Sequence, residues 1–503
     1  MLYPKNQTPQ LDAALFKKPT SEYRGTPFWA WNNKLDKDQL EREIEYMKEM
    51  GLGGFHMHSR TGMATHYLSD EFMSMVKACV EKARKEEMLA WLYDEDRWPS
   101  GAAGGIVTAD EKYRSRYIVF TPYSDEDVKN GKVTIEQATN SRATNSRSGN
   151  DTLIASYDVE LDENGCLKSY KLLKDGEKAQ HKAWYAYLTI AGPNPWYNNQ
   201  CYLNTLDPKS VEKFVEVTHE RYKEVVGDDF GGIIPAIFTD EPQFARKSTL
   251  GFADEEKEIG LPWTDDLPKT YAEAYDGADV MATFPELIWN LPDNKPSLAR
   301  YRYHDHISER FAGAFADTIG SWCKKNNIML TGHMMEEPTL ESQTAALGEA
   351  MRSYRSFGLP GIDILCDRRE YTTAKQAQSA AHQYGYPGVL SELYGVTNWD
   401  FDFRGHKLQG DWQAAMGITV RVHHLTWVSM NGEATSRPIS LPSGMVKLKS
   451  FTATTSSPDF LLRLGKIFVR FCKTTFIRFP FLYREIFMRI CRGNMQRASA
   501  ELP

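Results

Sequence analysis

The sequence predicts an α/β protein, a (β/α)8 TIM-like barrel interrupted by an antiparallel β-rich subdomain. Three observations carry the prediction. Short apolar runs alternate with amphipathic helical patterns from Thr26 onward. Eight such runs can be counted outside the interruption. Between about Arg114 and Tyr187 the rhythm changes to short alternating runs with tight turns such as Glu163-Asn164-Gly165. An open doubly wound sheet is the alternative that the same alternation allows.

Taken in order, "PFWAW" reads as the first strand and is followed by "DKDQLEREIEYMKEMG", an amphipathic helix stopped by Gly51. "GGFHMH" is the second strand, and its helix opens at Ser69, a natural N-cap. "LAWLYDED" is the third. The insertion at about 114–187 then contributes "RYIVFTPY", "TLIASYDVEL", "SYKLLK" and "AWYAYLTI", with the polar repeat "ATNSRATNSRSGND" as a loop. Barrel rhythm resumes with "DPKSVEKFVEVTHERYKEVVG" and the fourth strand, "IIPAIFTDEP". A loop and helical insertion at about 245–296 precedes the helix "HISERFAGAFADTIGSWCKKN". "IMLTGHMMEE", "GIDILCD", "GVLSELYG" and "ITVRVHHLTWVSM" complete the eight. The domain reading is therefore an N-terminal extension over 1–25, a catalytic barrel over 26–434 and a separate tail over 435–503.

Charge and composition narrow the function. The chain carries −7 overall, but residues 435–503 hold twelve Lys/Arg against three acids, which leaves −16 on the first 434 residues. An acidic body argues against a nucleic-acid surface and fits a neutral substrate. Seven scattered cysteines without a CxxC pair give neither a zinc pattern nor a disulfide framework. No apolar leader core and no run of 18 apolar residues is present, so the expectation is a cytoplasmic protein without a transmembrane segment.

In a (β/α)8 barrel the reactive groups stand at the carboxyl ends of the strands. Several of these ends are acidic here: Asp94, Glu95 and Asp96 on the third, Asp240 and Glu241 on the fourth, Glu336 and Glu337 on the fifth beside His333. Asp363 and Asp367 follow on the sixth and Glu392 on the seventh. His56 and His58, two apart, share a face of the second strand. Each acid alone can be a solvated strand end. Gathered at one mouth, however, like charges repel, and the cluster costs stability unless a shared proton, a metal or chemistry offsets it. Paired carboxylates are what glycoside hydrolysis requires. Trp29, Trp31, Trp98, Trp196, Trp399 and Trp427 lie near strand ends or loops and are candidates for a sugar platform, with Trp29 and Trp31 also suited to filling the barrel.

The ordered set "TPFWAWN", "GGFHMHSRTG", "YLSDEF", "AWLYDEDRWPSGAAGG", "FTDEP", "SELYGVTNWDF" and "GDWQAAMGI…HHLTWVSMNGE" resembles glycoside hydrolase family 106, the α-L-rhamnosidase-like enzymes, from about Thr26 to Glu433. That resemblance implies an inverting, carboxylate-driven hydrolysis of a terminal deoxy-sugar, with calcium near the sugar hydroxyls. By it Glu392, Glu241 and Glu336 are the candidate catalytic carboxylates. Asp94, Asp96, His56, His58, Trp98, His333 and Trp399 are candidates for substrate binding, and Asp240 and Glu337 for calcium. Acid and base are not distinguished, and the working pair is expected about 6.5–9.5 Å apart. After Ala434 the resemblance stops in a basic, Phe-rich tail. The tail reads either as an amphipathic surface segment or, preferred here, as the product of a broken reading frame that truncates the family pattern. Two other functions stay open: a metal-dependent amidohydrolase, prompted by the His56–His58 pair, and a non-catalytic carbohydrate-binding barrel.

Overall fold

The computed structural model describes residues 10, 12–132, 147, 151–397 and 400–429. Both readings of the tail, and the candidate Trp399, lie outside the described residues.

Strands β1 (Phe28–Trp31), β2 (Gly54–Ser59) and β3 (Leu89–Tyr93) run parallel, and the chain then leaves the barrel for β4 (Arg116–Thr121), β5 (Thr152–Leu161), β6 (Leu167–Leu172) and β7 (Lys182–Ile190). It returns for β8 (Ala236–Asp240), departs for β9 (Ile259–Trp263), and finishes with β10 (Met329–His333), β11 (Leu359–Ile364), β12 (Leu390–Leu393), β13 (Val420–His423) and β14 (Thr426–Trp427). The parallel sheet has the order β13-β12-β11-β10-β8-β3-β2-β1-β14. Its two edge strands belong to one stretch of chain, the predicted eighth strand split in two. Thr26 N donates to Arg421 O at 2.9 Å and Val428 N to Ala30 O at 3.1 Å, so that stretch bridges the sheet's two ends. The protein is a (β/α)8 barrel with an inserted antiparallel sheet.

Amphipathic helices cover the outside. In Lys37–Glu49, Leu40, Ile44 and Met47 recur at helical spacing and are buried, while Asp36 caps the first turn by accepting from Gln39 N at 2.8 Å. Ser69 caps Asp70–Lys85 as its sequence position suggests, accepting from Phe72 N at 3.2 Å. No helix among the described residues is long and apolar enough to cross a membrane.

The inserted strands pair in the order β6-β5-β7-β4-β9. β9 falls in the stretch read from sequence as loop and helix, and its partner is β4, about 140 residues earlier, with Ile118 opposite Leu261. Such a pairing leaves no local signature. Phe120, Tyr157, Trp184, Phe284 and Trp289 fill the space beneath this sheet, with Phe120 stacked on Trp184 at 5.1 Å.

Side-chain parity sets what fills the barrel. Phe28, Leu89, Trp91, Tyr93, Ala236, Phe238, Leu359, Leu390, Val420 and Val422 form one apolar cluster inside it. The alternate residues, Trp29, Trp31, Phe55, Met57, Ala90, Leu92 and Ile237, belong to the layer under the helices. Trp29 and Trp31 are therefore neither barrel filling nor sugar platform. Trp29 donates its indole N–H to Glu43 at 2.8 Å, and Trp31 packs on Phe72.

Candidate functional site

The same parity carries the inward column of each strand up to a polar residue at the mouth. Asp240 stands two residues beyond Phe238, Glu392 two beyond Leu390, and Asp363 two beyond Gly361. Strand register then makes neighbours of them: β8 and β10 place Asp240 beside His333, and β11 and β12 place Asp363 beside Glu392. The first pairing needs Gly332. Its φ is +121°, and a Cβ there would stand 1.8 Å from Thr239 O.

His333 is the centre of this group. Its Nε2 lies 2.9 Å from Glu392 Oε2 and 3.6 Å from Asp240 Oδ1, and the ring is buried. Burial alone would discharge the imidazole, but its bond to Glu392 and the charges of Asp240 and Glu392 outweigh that and hold it protonated. Burial likewise would raise Glu392, yet the bond from His333, with help from the charges of His424 and Arg60, holds it below the usual carboxylate range. Asp240 accepts from Tyr93 Oη at 2.6 Å and is pushed up to about 6, mainly by burial, with His333 pulling it back. His58 stacks on Tyr93 at 3.8 Å, its Nε2 3.9 Å from Asp240 Oδ2, and burial keeps it neutral.

Glu241 is one residue past β8, with φ +46°. Positive φ in a non-glycine side chain costs of order 1 kcal/mol or more and is concentrated at functional positions. Burial pushes Glu241 up to about 8; His333 pulls it down, while Asp240 and Glu392 add to the rise. Its Oε2 accepts the indole N–H of Trp98. Glu336, at φ +59°, is paired with Arg246 at 2.6 Å.

Other candidates have partners outside the Asp240–His333–Glu392 group. Asp94 has the parity of Ala90 and Leu92, is fully buried, and accepts from Ser100 Oγ, which in turn accepts from Asp240 N at 2.8 Å. Asp96 is buried against Arg97 at 3.1 Å. Glu95, one of the three acids that end the third strand, organises the glycine-rich loop. Its Oε2 accepts from the amides of Gly101, Ala102 and Ala103, and its Oε1 from those of Gly104 and Asp96, at 2.6–2.9 Å. The acids preceding "GAAGG" thus include the acceptor that ties this loop together. His56 lies lower in the barrel, stacked on Trp91, with Nδ1 3.0 Å from Thr26 O. The His56–His58 pair consequently does not converge on Asp240, and the amidohydrolase arrangement is absent from the described residues.

Calcium takes six to eight oxygen ligands. Among the described residues one set of three donors converges, Asp240, His333 and Glu392, with ligand atoms within 4.8 Å of one another. One of the three is a ring nitrogen engaged with Glu392. Glu337 is occupied as well: it accepts from Met334 N at 3.0 Å, Asp363 N at 3.2 Å and the Tyr354 hydroxyl. These residues do not fit a calcium ion.

No family model matches the sequence, and no curated protein matches it. Among solved structures, the fold is similar to that of a rhamnosidase from Novosphingobium sp. PP1Y, with 14% identity, a TM-score of 0.53, and coverage of 83% of this chain and 56% of that one. It is more distantly similar to a β-galactosidase from the Antarctic haloarchaeon Halorubrum lacusprofundi, at 10% identity, TM-score 0.41 and coverage of 80% and 52%. The chain spans a little over half the length of each of these proteins.

Proposed function

We propose that the protein is a glycoside hydrolase that cleaves a terminal α-L-rhamnoside or a similar deoxy-sugar with inversion. One observation carries the reading. Two glutamates at the carboxyl ends of the fourth and seventh barrel strands sit in environments that drive their protonation apart. Glu241 is pushed up to about 8 and Glu392 is held ionised by His333. Such a split is how one site keeps an acid and a base ready at the same pH.

In this scheme the sugar lies between them. Glu241 gives its proton to the glycosidic oxygen as the bond from C1 to that oxygen breaks. A water held by Glu392 attacks C1 from the opposite face and leaves its own proton on Glu392. Asp240 and Glu392 are not this pair, since they bring carboxylate oxygens within 4.8 Å of one another, with His333 bound to Glu392, closer than the roughly 6.5–9.5 Å that inversion uses. Glu336, held by Arg246, is assigned to the sugar hydroxyls.

The test is hydrolysis of 4-nitrophenyl α-L-rhamnoside within a panel of aryl α-glycosides. Glu241→Gln and Glu392→Gln should each lower kcat by about 10²–10⁴-fold with folding unchanged, and the sugar first released should be the β anomer by NMR. Unchanged turnover in either variant removes that residue from the mechanism, and a first-formed α anomer contradicts inversion.

A further inference from the structure

Building on the assignment of Glu241 as proton donor, we infer that Trp98 and Trp196 form the subsite for the leaving group, and that this group is a ring with a flat apolar face.

Trp98 donates its indole N–H to Glu241 Oε2. One oxygen of the acid is thereby occupied, and the proton for the glycosidic oxygen is carried on Oε1. The indole therefore adjoins the departing oxygen. The sugar being cleaved occupies the space between Glu241 and Glu392, so the leaving group lies beyond Glu241, where Trp98 stands. Trp98 and Trp196 are both half-buried, in contrast to Trp29, Trp31 and Trp91, which are sealed in the core. Their ring centres are 4.9 Å apart at 68°, an edge-to-face corner that presents one indole face and one indole edge.

The corner is also held in place from both sides. Trp196 N donates to Asn194 Oδ1 at 2.8 Å, fixing the short 3-10 turn Pro195–Tyr197. Tyr197 stacks on Tyr202 at 4.3 Å, and the Tyr202 hydroxyl donates to Ser100 O in the loop that carries Trp98. Trp98 arrives on the barrel's third βα loop, whereas Trp196 arrives on the chain returning from the inserted sheet. The insertion thus supplies half of the recognition corner. A rigid aromatic corner suits the C–H face of a pyranose or the face of an aryl ring, and has nothing to offer a small leaving group.

The test compares three substrates: a rhamnosyl-α-linked disaccharide, 4-nitrophenyl α-L-rhamnoside and α-L-rhamnosyl fluoride. Fluoride departs without a ring. Trp196→Ala should raise KM several-fold to about tenfold for one or both ring-bearing substrates, and leave kcat/KM for the fluoride within about twofold of wild type. Trp196→Phe should restore most of the loss. Equal losses on all three substrates, or no loss on any, overturn the inference while leaving the hydrolase reading intact. A wild-type protein that hydrolyses none of the three ends both.

Discussion

Glu241 and Glu392 carry the same side chain, and their opposite behaviour comes from what each one touches. Glu241 has an indole N–H and buried acidic neighbours; Glu392 has a buried imidazolium at 2.9 Å. The ionised state of Glu392 depends first on the hydrogen bond from His333, and then on nearby positive charge, that of His333 included. His333→Asn, which can keep a donor but not the charge, should move the acid limb of the kcat/KM profile upward toward ordinary carboxylate values. An acid limb that stays in place while turnover falls would reduce His333 to a packing role. The residue types of this cluster were legible in the sequence, since Asp240, Glu241, His333 and Glu392 all stand out as polar ends of apolar runs. The partners that sort them were not. Arg246 is paired with Glu336, and Trp98 with Glu241, across 90 and 143 residues respectively, distances over which no local pattern reports.

At the scale of elements, register and parity decide which acids meet. Asp94 could have been separated from the site by counting: it shares parity with Ala90 and Leu92, which pack under the helices, whereas Tyr93 shares it with the interior. A strand-end acid is polar whichever face it takes, so residue type alone does not give its direction. Glu95 was obscured for another reason, because a carboxylate binding five backbone amides has no sequence signature beyond the glycines after it. Gly332 shows the opposite case, a residue whose role follows from geometry alone. With φ at +121° and Thr239 O 1.8 Å from where a Cβ would sit, Gly332→Ala must push β10 away from β8 and separate His333 from Asp240. The expected result is a loss of several kcal/mol in denaturant unfolding, or no folded protein. A variant with wild-type stability would show that the two strands have slack.

Across the whole molecule the barrel places its charged residues in distinct settings, some at the mouth and others partly buried on the helix side of the sheet. Glu43 is one of the latter, pushed up to about 7 by burial despite hydrogen bonds from Gln39 and Trp29. Because the folded protein keeps this proton above the pH at which an unfolded chain loses it, its stabilising contribution is complete below about pH 4.5 and is lost as pH rises to about 7. Glu95 and Glu337, also raised to about 7 by burial, act in the same sense. Glu43→Gln should therefore raise stability at pH 8, by about 3 kcal/mol as an upper bound, and change it little at pH 4, read as Tm at the two pH values; equal shifts at both would contradict the linkage. The barrel fold was legible from eight runs and their helices, while the pairing of β9 with β4 and the union of β13 and β14 into the closing strand required the structure. The claim on which the function rests is that the fourth and seventh strands deliver one protonated and one ionised glutamate to opposite sides of a bound sugar. It is tested most directly by the pH dependence of kcat/KM for an aryl α-L-rhamnoside in wild type and Glu241→Gln. The prediction is a wild-type alkaline limb near pH 8 that disappears in the variant; a limb that persists unchanged without Glu241, or a wild-type profile flat through pH 9, would contradict it.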